Sequence, residues 1–139
     1  MKVLVTGAAG FIGGQLMHAL WKTGHTAIGV DNYSYGSADN LHFDDHDFSA
    51  DVIKMDIRDK EGMKALFEQE KFDIVYNIAG IAPLPDCQSG PVQAIEVNTL
   101  GLVNLLEAGR RTGIRQLVQA STNAMYENET EFPTVESKF

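Results

Sequence analysis

The hydroxyl pair Ser121–Thr122 is the first feature of the sequence that could take part in chemistry. It follows "QLVQA", a short apolar run that predicts a strand, so the hydroxyls would lie at the end of a sheet. Thr122 can orient a substrate hydroxyl there, but its own hydroxyl is far too weak a base to accept the proton at neutral pH. A catalytic role for Thr122 therefore requires a proton acceptor from another part of the protein.

A glycine-rich loop is the second such feature. The segment "VTGAAGFIG" joins an apolar run to a stretch with helical periodicity and carries Gly7, Gly10 and Gly13. Glycines at a strand-to-helix turn permit positive φ, let the backbone approach a pyrophosphate and let the helix pack closely on the strand. The helix N-terminus adds free N–H groups and a partial positive charge. A tight turn without a ligand would use the same glycines, but the strand–helix context favours phosphate binding.

Two acidic residues at predicted strand ends complete a dinucleotide-binding pattern. Asp31 ends the second apolar run, where an acid suits the adenosine ribose hydroxyls and repels a 2′-phosphate. Because residues 32–53 contain no Lys or Arg, the sequence predicts NAD rather than NADP. Asp56 and Ile57, in "MDIRD", offer a hydrogen-bond acceptor and an apolar edge that suit an adenine.

Apolar runs alternate with helical stretches along the whole chain. The predicted strands are 2–6, 26–30, 51–56, 72–80 and 116–121, and the predicted helices are 10–24, 60–69 and about 90–111. Continuous apolar strands separated by helices predict a parallel sheet covered on both faces, and right-handed crossovers make it doubly wound. Residues 31–50 are polar and predict a loop with a helical turn, and a loop is also predicted around Pro83 and Pro85. Residues 127–139 predict a loop or a ragged end.

Periodicity also predicts which helix residues face the core. In the first helix these residues are Phe11, Leu16, Ala19 and Leu20, and in the second they are Met63, Leu66 and Phe67. The long third helix has two apolar stripes. The first comprises Val92, Ile95, Thr99, Leu102, Val103 and Leu106, and the second comprises Val97, Leu100, Gly101 and Ala108. A helix that is apolar on two sides is buried on two sides, so one side covers the sheet and the other meets a partner helix.

The totals narrow the class of protein. With 139 residues the chain is one domain or a piece of one. A formal net charge of −8 argues against nucleic acid and anionic membranes as partners. The apolar runs are far shorter than the ~20 residues needed to span a bilayer, and a single cysteine, Cys87, rules out a disulfide within the chain. We therefore expect a cytoplasmic location.

The motifs taken together resemble one family. The segments "VTGAAGFIG", "VDN", "MDIRD", "NIAG", "VNTLG" and "ASTNAMYE" have the order and spacing found in the extended short-chain dehydrogenase/reductases, the NAD-dependent sugar-nucleotide epimerases and dehydratases. The resemblance covers essentially all of residues 1–139. It implies a Rossmann domain with strand order 3-2-1-4-5 that binds NAD. Full-length members also have a smaller C-terminal domain that holds a nucleoside-diphosphate sugar.

The resemblance also implies roles for individual residues. Phe11 and Ile12 would contact the pyrophosphate, Asp31 and Asn32 the ribose, and Asp56 and Ile57 the adenine. Ala79 and Gly80 would pass beneath the cofactor, and Asn98 matches the asparagine of the following helix. Thr122 would hydrogen-bond the sugar hydroxyl that is oxidised. The implied reaction is epimerisation of a nucleoside-diphosphate sugar through a transient keto intermediate.

The sequence departs from the family in its catalytic base. Members use a tyrosine in Tyr-x-x-x-Lys, and none of Tyr33, Tyr35, Tyr76 and Tyr126 is followed by lysine four residues later. We therefore expect the chain to stop before the catalytic helix and the substrate domain, and to be inactive alone. Dehydratases of the family carry Asp-Glu where this chain has "NA" after Thr122, which favours epimerisation over dehydration. A dehydratase, a reductase and a non-catalytic NAD-binding module are the alternatives.

Three remaining features have less specific interpretations. The segment "NLHFDDHDF" contains His42, Asp44, Asp45 and His46, but a loop without helical register does not predict a metal site, and the family implies no metal. Cys87 has no identifiable base nearby, so it predicts a loop cysteine rather than a nucleophile. The second apolar side of the 90–111 helix matches the homodimer interface of the family, and packing against the missing helix is its alternative.

Overall fold

A computed structural model describes residues 1–122 and residue 126, and its centre is a five-stranded parallel sheet. Its strands are β1 (Lys2–Thr6), β2 (Thr26–Asp31), β5 (Val52–Lys54), β6 (Ile74–Asn77) and β7 (Gln116–Gln119). They lie in the order β5-β2-β1-β6-β7. Numbered among the five, this order is 3-2-1-4-5, so the predicted doubly wound topology is confirmed. The observed strands β5, β6 and β7 are shorter than the predicted ones.

The helices follow the strands in alternation. They are α1 (Phe11–Lys22), α2 (Lys60–Glu70), α3 (Leu84–Ser89), α4 (Pro91–Ile95) and α5 (Leu102–Thr112). Short 3₁₀ turns span Ala38–Leu41 and Ser49–Asp51, and the first of them supplies the helical turn predicted within 31–50. Within the described ranges, no helix is both long and apolar enough to cross a membrane.

Side chains alternate between the two faces of β1 and mark two core layers. Leu4 packs on one face with Phe67 of α2 and Leu105 of α5. Val3 and Val5 pack on the opposite face, against α1 and the segment that follows β2. All three of these β1 side chains are fully buried. The sheet is therefore covered on both faces, as its continuous apolar strands predict.

The buried face of α1 differs from the predicted one. Its buried residues are Gly13, Gly14, Met17 and Leu20. Phe11 and Ala19, both predicted to face the core, are exposed, and Leu16 is half-buried. The helix turns its glycines toward the protein, because only residues without a side chain fit at this close approach. In α2 the predicted inward residues Met63, Leu66 and Phe67 are buried, which confirms that prediction.

The region predicted as a proline-containing loop and a long third helix has more structure than the sequence indicates. α3 occupies the predicted loop, with a proline in its first turn, where the fixed φ suits a helix start. The predicted 90–111 helix consists of α4, a π-helical segment at Glu96–Gly101 and α5. A continuous α-helix was therefore the wrong prediction for its middle. π-helical segments are rare, occur mostly as single turns within α-helices and are frequent at functional sites.

The segment predicted as loop at 31–50 contains a small hairpin. β3 (His42–Phe43) pairs antiparallel with β4 (His46–Asp47). Ring stacking holds it against α1: the centroids of His18 and Phe43 are 4.0 Å apart, and those of Trp21 and His46 are 4.6 Å apart. The aromatic rings, rather than backbone propensity, order this polar stretch.

The candidate metal residues of this hairpin do not converge. His42 pairs with Asp47 at 3.5 Å and His46 with Asp51 at 3.6 Å, whereas Asp45 contacts His18 at 2.7 Å. Each histidine thus faces a different carboxylate. Among the residues that the structure describes, no group of three or more His, Cys, Asp or Glu side chains could hold a metal ion.

Candidate functional site

A cavity of about 350 Å³ opens at the carboxyl ends of the parallel strands. In a doubly wound sheet this edge, where the strand order reverses, is the usual position of a ligand. Its walls include most of the residues selected from the sequence: Gly7, Gly10, Phe11, Ile12, Gly13, Asp31, Asn32, Asp56, Ile57, Ala79 and Gly80. The fold therefore brings these separate motifs to one site.

The three loop glycines serve different purposes in the structure. Gly7 has φ +68°, and a Cβ there would lie 2.8 Å from the Ala79 nitrogen. A Cβ on Gly13 would lie 2.0 Å from the Gly7 carbonyl oxygen. A Cβ on Gly10 would have that same oxygen as its nearest neighbour, at 3.1 Å. Gly7 and Gly13 are thus required by the packing of the protein itself, whereas Gly10 leaves backbone open toward the cavity.

The first turn of α1 faces the same cavity. Its N-cap residue, Gly10, makes no side-chain cap hydrogen bond, and the first turn contains no acidic residue. First-turn amides have no acceptor within a helix, and the helix dipole places partial positive charge there. Phe11 and Ile12 follow, with 76% and 63% of their surface exposed. Amides and partial charge make this turn suitable for a phosphate, despite the acidic charge of the whole chain.

Asp31 has a structural task that the sequence did not reveal. It is buried, with 8% exposure, at the end of β2. Its Oδ2 accepts a hydrogen bond from the Ala9 amide at 2.9 Å, and its Oδ1 accepts one from the Tyr33 amide at 2.7 Å. The carboxylate therefore ties the glycine-rich loop to the end of β2. Each oxygen keeps a further acceptor position for a ribose hydroxyl.

Asp56 and Asn32 meet where the neighbouring strands β5 and β2 end. The Asn32 Nδ2 donates to Asp56 Oδ2 at 2.8 Å. The Arg58 guanidinium donates to both carboxylate oxygens, from Nε to Oδ1 at 3.0 Å and from Nη2 to Oδ2 at 2.8 Å. These charge-assisted hydrogen bonds, led by those from Arg58, hold the pKa of Asp56 far below its usual range. Asp56 is therefore an ionised acceptor at neutral pH.

Asn98 does not line the cavity. Its Oδ1 accepts from the Ile81 amide at 2.8 Å, and its Nδ2 donates to the Ile81 carbonyl at 2.9 Å. Asn98 belongs to the π-helical segment, so this paired contact fixes the chain just after Ala79 and Gly80. Its position thus supports the cavity wall from behind, while the neighbouring Val97 faces the cavity.

Thr122, the residue selected for hydroxyl chemistry, is exposed just beyond β7 and is not among the residues that line the cavity. The "NA" pair that follows it lies outside the described residues, as does the predicted loop at 127–139. Tyr126 is half-buried.

Sequence reasoning missed one wall of the cavity. Ser34, Tyr35 and Gly36, which follow β2, line it together with Val30, Met55, Ile78, Ile81, Gln93 and Val97. The Tyr35 hydroxyl donates to Asp86 Oδ2 at 2.6 Å and so joins the segment after β2 to α3. The glycine at position 36 was the sequence signal for a close backbone approach in this segment. The structure shows that approach, since a Cβ there would lie 2.8 Å from the Ala9 Cβ and 3.0 Å from Asp31 Oδ1.

A doubly wound parallel sheet with a glycine-rich first turn and an acid at the end of its second strand defines a Rossmann dinucleotide-binding domain. The model of the NAD dependent epimerase/dehydratase family matches residues 3–139. The chain therefore belongs to this family, in agreement with the resemblance seen in the sequence motifs. NAD, the cofactor predicted from Asp31 and the glycine loop, is the cofactor of the family.

Similar proteins carry several activities on this framework. The chain is 34% identical over 137 residues to a UDP-glucose 4-epimerase of Mycolicibacterium smegmatis, covering 98% of this chain and 44% of that protein. It is 32% identical over 139 residues to UDP-glucuronic acid decarboxylase 2 of Arabidopsis thaliana, covering 99% of this chain and 29% of that protein. The relatives thus include both epimerases and decarboxylases.

Solved structures agree with the fold. A UDP-glucose 4-epimerase from Thermotoga maritima, crystallised with UDP-glucose, superposes with a TM-score of 0.86 at 30% identity, covering 99% of this chain and 43% of that one. The enzyme from Thermus thermophilus in complex with NAD gives 0.77 at 38% identity, covering 88% of this chain and 38% of that one. The chain spans less than half the length of each of these relatives.

Proposed function

We propose that this chain is the NAD-binding part of an enzyme that epimerises a nucleoside-diphosphate sugar. The observation that carries the proposal is the cavity itself. It brings the glycine loop, Asp31 and Asp56 together at the switch point of the sheet. The names of the relatives indicate a UDP-sugar as the substrate class.

The cavity fits an NAD molecule in its chemistry. Gly10 leaves the loop backbone open to a pyrophosphate, and a side chain there would close that approach. Phe11 and Ile12 would hold the pyrophosphate through their amides, and Asp31 and Asn32 would hold the adenosine ribose. Asp56 and Ile57 would receive the adenine, and Ala79 and Gly80 would lie beneath the nicotinamide. Among the described residues that line the cavity there is no Lys or Arg, so a 2′-phosphate beside Asp31 would meet negative charge, which favours NAD over NADP.

Bound NAD would supply a reversible acceptor for the hydride of a sugar carbon. Thr122 would orient the hydroxyl on that carbon, and the proton needs a separate acceptor. None of the four tyrosines is followed by lysine four residues later, so the sequence offers no Tyr-x-x-x-Lys pair for that task. We therefore expect these 139 residues to bind NAD without turning over a sugar nucleotide at an appreciable rate. The same observation supports the alternative of an NAD-binding module with no chemistry.

An exposed apolar face supports contact with a second copy of the chain. Along α4 to α5, Val92, Ile95, Leu100, Val103 and Leu106 are between 48% and 68% exposed. The opposite side of this segment packs into the core through Val97, Gly101, Leu105 and Ala108. A homodimer through the predicted 90–111 helix would cover the exposed residues.

Titration calorimetry with NAD and NADP tests the cofactor assignment. We expect the chain to bind NAD more tightly, and Asp31→Ala to weaken NAD binding and narrow the preference. Gly10→Val, which places a branched side chain at the open loop position, should remove NAD binding while the circular dichroism spectrum stays unchanged. A folded chain that binds neither dinucleotide, or binds NADP more tightly, contradicts the proposal.

The catalytic part is tested by incubating the chain with NAD and UDP-, GDP- or dTDP-sugars and following epimers by NMR. No turnover is expected from the chain alone. Robust turnover would show that a base within these residues had been overlooked. For a longer protein that contains the chain and a Tyr-x-x-x-Lys motif, turnover of one of these sugars is the expected result, and NAD binding without turnover would favour the non-catalytic module.

A further inference from the structure

The Asp56 carboxylate already makes as many hydrogen bonds as it can readily accept. Its Oδ1 accepts from the Arg58 amide at 2.8 Å and from Arg58 Nε at 3.0 Å. Its Oδ2 accepts from Arg58 Nη2 at 2.8 Å and from Asn32 Nδ2 at 2.8 Å. A carboxylate offers about four lone-pair positions. A ligand can therefore hydrogen-bond to Asp56 only by taking the place of one of these four donors.

Three of the four donors belong to Arg58 and are difficult to displace. The guanidinium donates to both Asp56 carboxylate oxygens as a bidentate pair, which is among the strongest hydrogen-bonding arrangements for a carboxylate. A further bond from Nη1 to Glu96 Oε2, at 3.2 Å, holds the guanidinium from the other side. Arg58 is not among the residues that line the dinucleotide cavity. Its three bonds therefore leave the cavity side of Asp56 free of a charged donor.

The fourth donor, Asn32, is exchangeable. It makes one bond to Asp56 from a neutral amide, and both residues line the cavity. Its own Oδ1 accepts from the Ser34 amide at 2.9 Å, so the side chain stays anchored when the bond to Asp56 is given up. The acceptor position on Oδ2 that Asn32 occupies is thus the one that a ligand in the cavity can reach.

We propose that Arg58 is a specificity-determining residue of this site, which selects a purine with an amino group at C6 over one with a carbonyl there. Arg58 fixes the carboxylate so that a single acceptor position faces the base. This position accepts a hydrogen from the adenine amino group, whereas a C6 carbonyl would place two acceptors against each other. The ionised state of Asp56 supports this selectivity, because a carboxylate without a proton has none to offer a carbonyl. The inference rests on the proposed binding of NAD in this cavity.

The matched ligand pair is NAD and nicotinamide hypoxanthine dinucleotide, in which an oxo group replaces the amino group at C6 and N1 carries a hydrogen instead of a free lone pair. Hydrogen bonds to a charged group are worth enough to give about 10- to 100-fold in affinity. We therefore expect calorimetry to show NAD binding at least about tenfold more tightly to the unmodified chain. In Arg58→Gln the carboxylate can rotate and bind water, so this ratio should fall below about threefold.

The ratio of the two affinities shows whether Arg58 selects the base or only supports the fold. If Arg58 only supported the fold, Arg58→Gln would weaken both dinucleotides equally and leave the ratio unchanged. Arg58→Lys keeps the positive charge but has no fork, so it should also lower the ratio, and it serves as the second variant if Arg58→Gln fails to fold. Arg110→Gln is the matched control, since Arg110 grips Glu107 through the same Nε and Nη2 fork away from the cavity. The Arg110→Gln variant should show the same affinity ratio as the unmodified chain.

Two results would overturn the inference while the proposed function stands. One is equal affinity of the unmodified chain for the two dinucleotides, and the other is an unchanged ratio in a folded Arg58 variant. Absence of NAD binding to the folded, unmodified chain would overturn both the inference and the proposed function.

Discussion

Asn77 of β6 and Gln119 of β7 are joined by a hydrogen bond of 2.7 Å from Nδ2 to Oε1. Asn77 also accepts through Oδ1 from the Thr6 hydroxyl of β1, and that hydroxyl accepts from the Ala79 amide at 3.3 Å. Thr6 and Asn77 are almost fully buried. Polar side chains thus connect three neighbouring strands at the edge of the sheet where the cavity opens. Within the described residues, every buried side-chain nitrogen and oxygen has a partner.

Replacing Asn77 should destabilise the fold measurably. Asn77→Leu removes the acceptor for the buried Thr6 hydroxyl, and an unpaired buried polar group costs about 1–3 kcal/mol. Gln119→Ala is the control, because Gln119 is exposed and water can take its place at the Asn77 amide. Urea unfolding should show a clearly lower free energy of unfolding for Asn77→Leu and a change of less than about 1 kcal/mol for Gln119→Ala. Equal costs for the two variants would show that the network adds little to stability.

The five sheet strands and their order could be predicted because each buried strand is a continuous apolar run. The hairpin around Phe43 could not, because its order depends on stacking against His18, a residue far away in sequence. The π-helical segment was missed for a similar reason. Its Asn98 makes paired contacts with the Ile81 backbone that no local pattern encodes.

The cavity likewise contains residues that motif spacing predicts and residues whose roles depend on distant contacts. Motif spacing predicted the glycine loop and the acids at strand ends, since these positions follow from the topology alone. It could not show that Asp31 holds the Ala9 amide or that Arg58 surrounds Asp56, because both depend on side-chain geometry. Tyr35 was missed because nothing in its local sequence places it opposite Asp86.

Substituting two different glycines by alanine separates two contributions to the loss of folding stability. One is steric crowding by the added methyl group, and the other is an unfavourable backbone conformation. Gly24 has φ +78°, and a Cβ added there would have nothing within 4 Å, so Gly24→Ala should cost only about 1–2 kcal/mol for the left-handed conformation. In Gly13→Ala the methyl would lie 2.0 Å from the Gly7 carbonyl oxygen, so α1 must move away from the loop. A loss of at least about 3 kcal/mol is expected. Thermal and urea unfolding measure both variants, and equal losses would show that the loop yields easily.

Stability should depend on pH through Glu107. Hydrogen bonds from Arg110 and then Arg111 lower the pKa of Glu107 from 4.5 to about 2. A carboxyl whose pKa is lower in the folded state stabilises the protein above its unfolded pKa, and this contribution disappears as pH falls through the folded value. Unfolding midpoints of the unmodified chain and Glu107→Gln should therefore differ at neutral pH and converge between about pH 4.5 and about pH 2.

The Glu107 pairs lie on the surface, so salt supplies a control for this prediction. High salt should reduce the difference between the two proteins at neutral pH, because it screens exposed charges. A difference that stays constant from neutral to acid pH would mean that substitution of Glu107 acts through helix propensity rather than charge.

The bond between Tyr35 and Asp86 predicts how quickly the cofactor exchanges. Tyr35 follows β2 and lines the cavity, and Asp86 lies on α3, which follows β6; β2 and β6 flank β1 on opposite sides. The 2.6 Å bond from the Tyr35 hydroxyl to Asp86 Oδ2 joins the two, and it raises the pKa of Tyr35, so the donor keeps its proton at neutral pH. If these two segments must separate for a dinucleotide to leave, this bond must break first. Tyr35→Phe removes only the hydroxyl and should therefore speed NAD release.

Stopped-flow measurements of NADH fluorescence can test this expectation. We expect Tyr35→Phe to raise both the association and the dissociation rate severalfold and to change the dissociation constant less, because the bond slows passage in both directions. Asp86→Ala should have the same effect, and the double variant should be no faster than either single one, since residues that act through a shared contact are not additive. Faster release in Tyr35→Phe with an unchanged association rate would instead identify Tyr35 as a direct contact to the dinucleotide. Unchanged rates in all three variants would show that the bond does not control exchange.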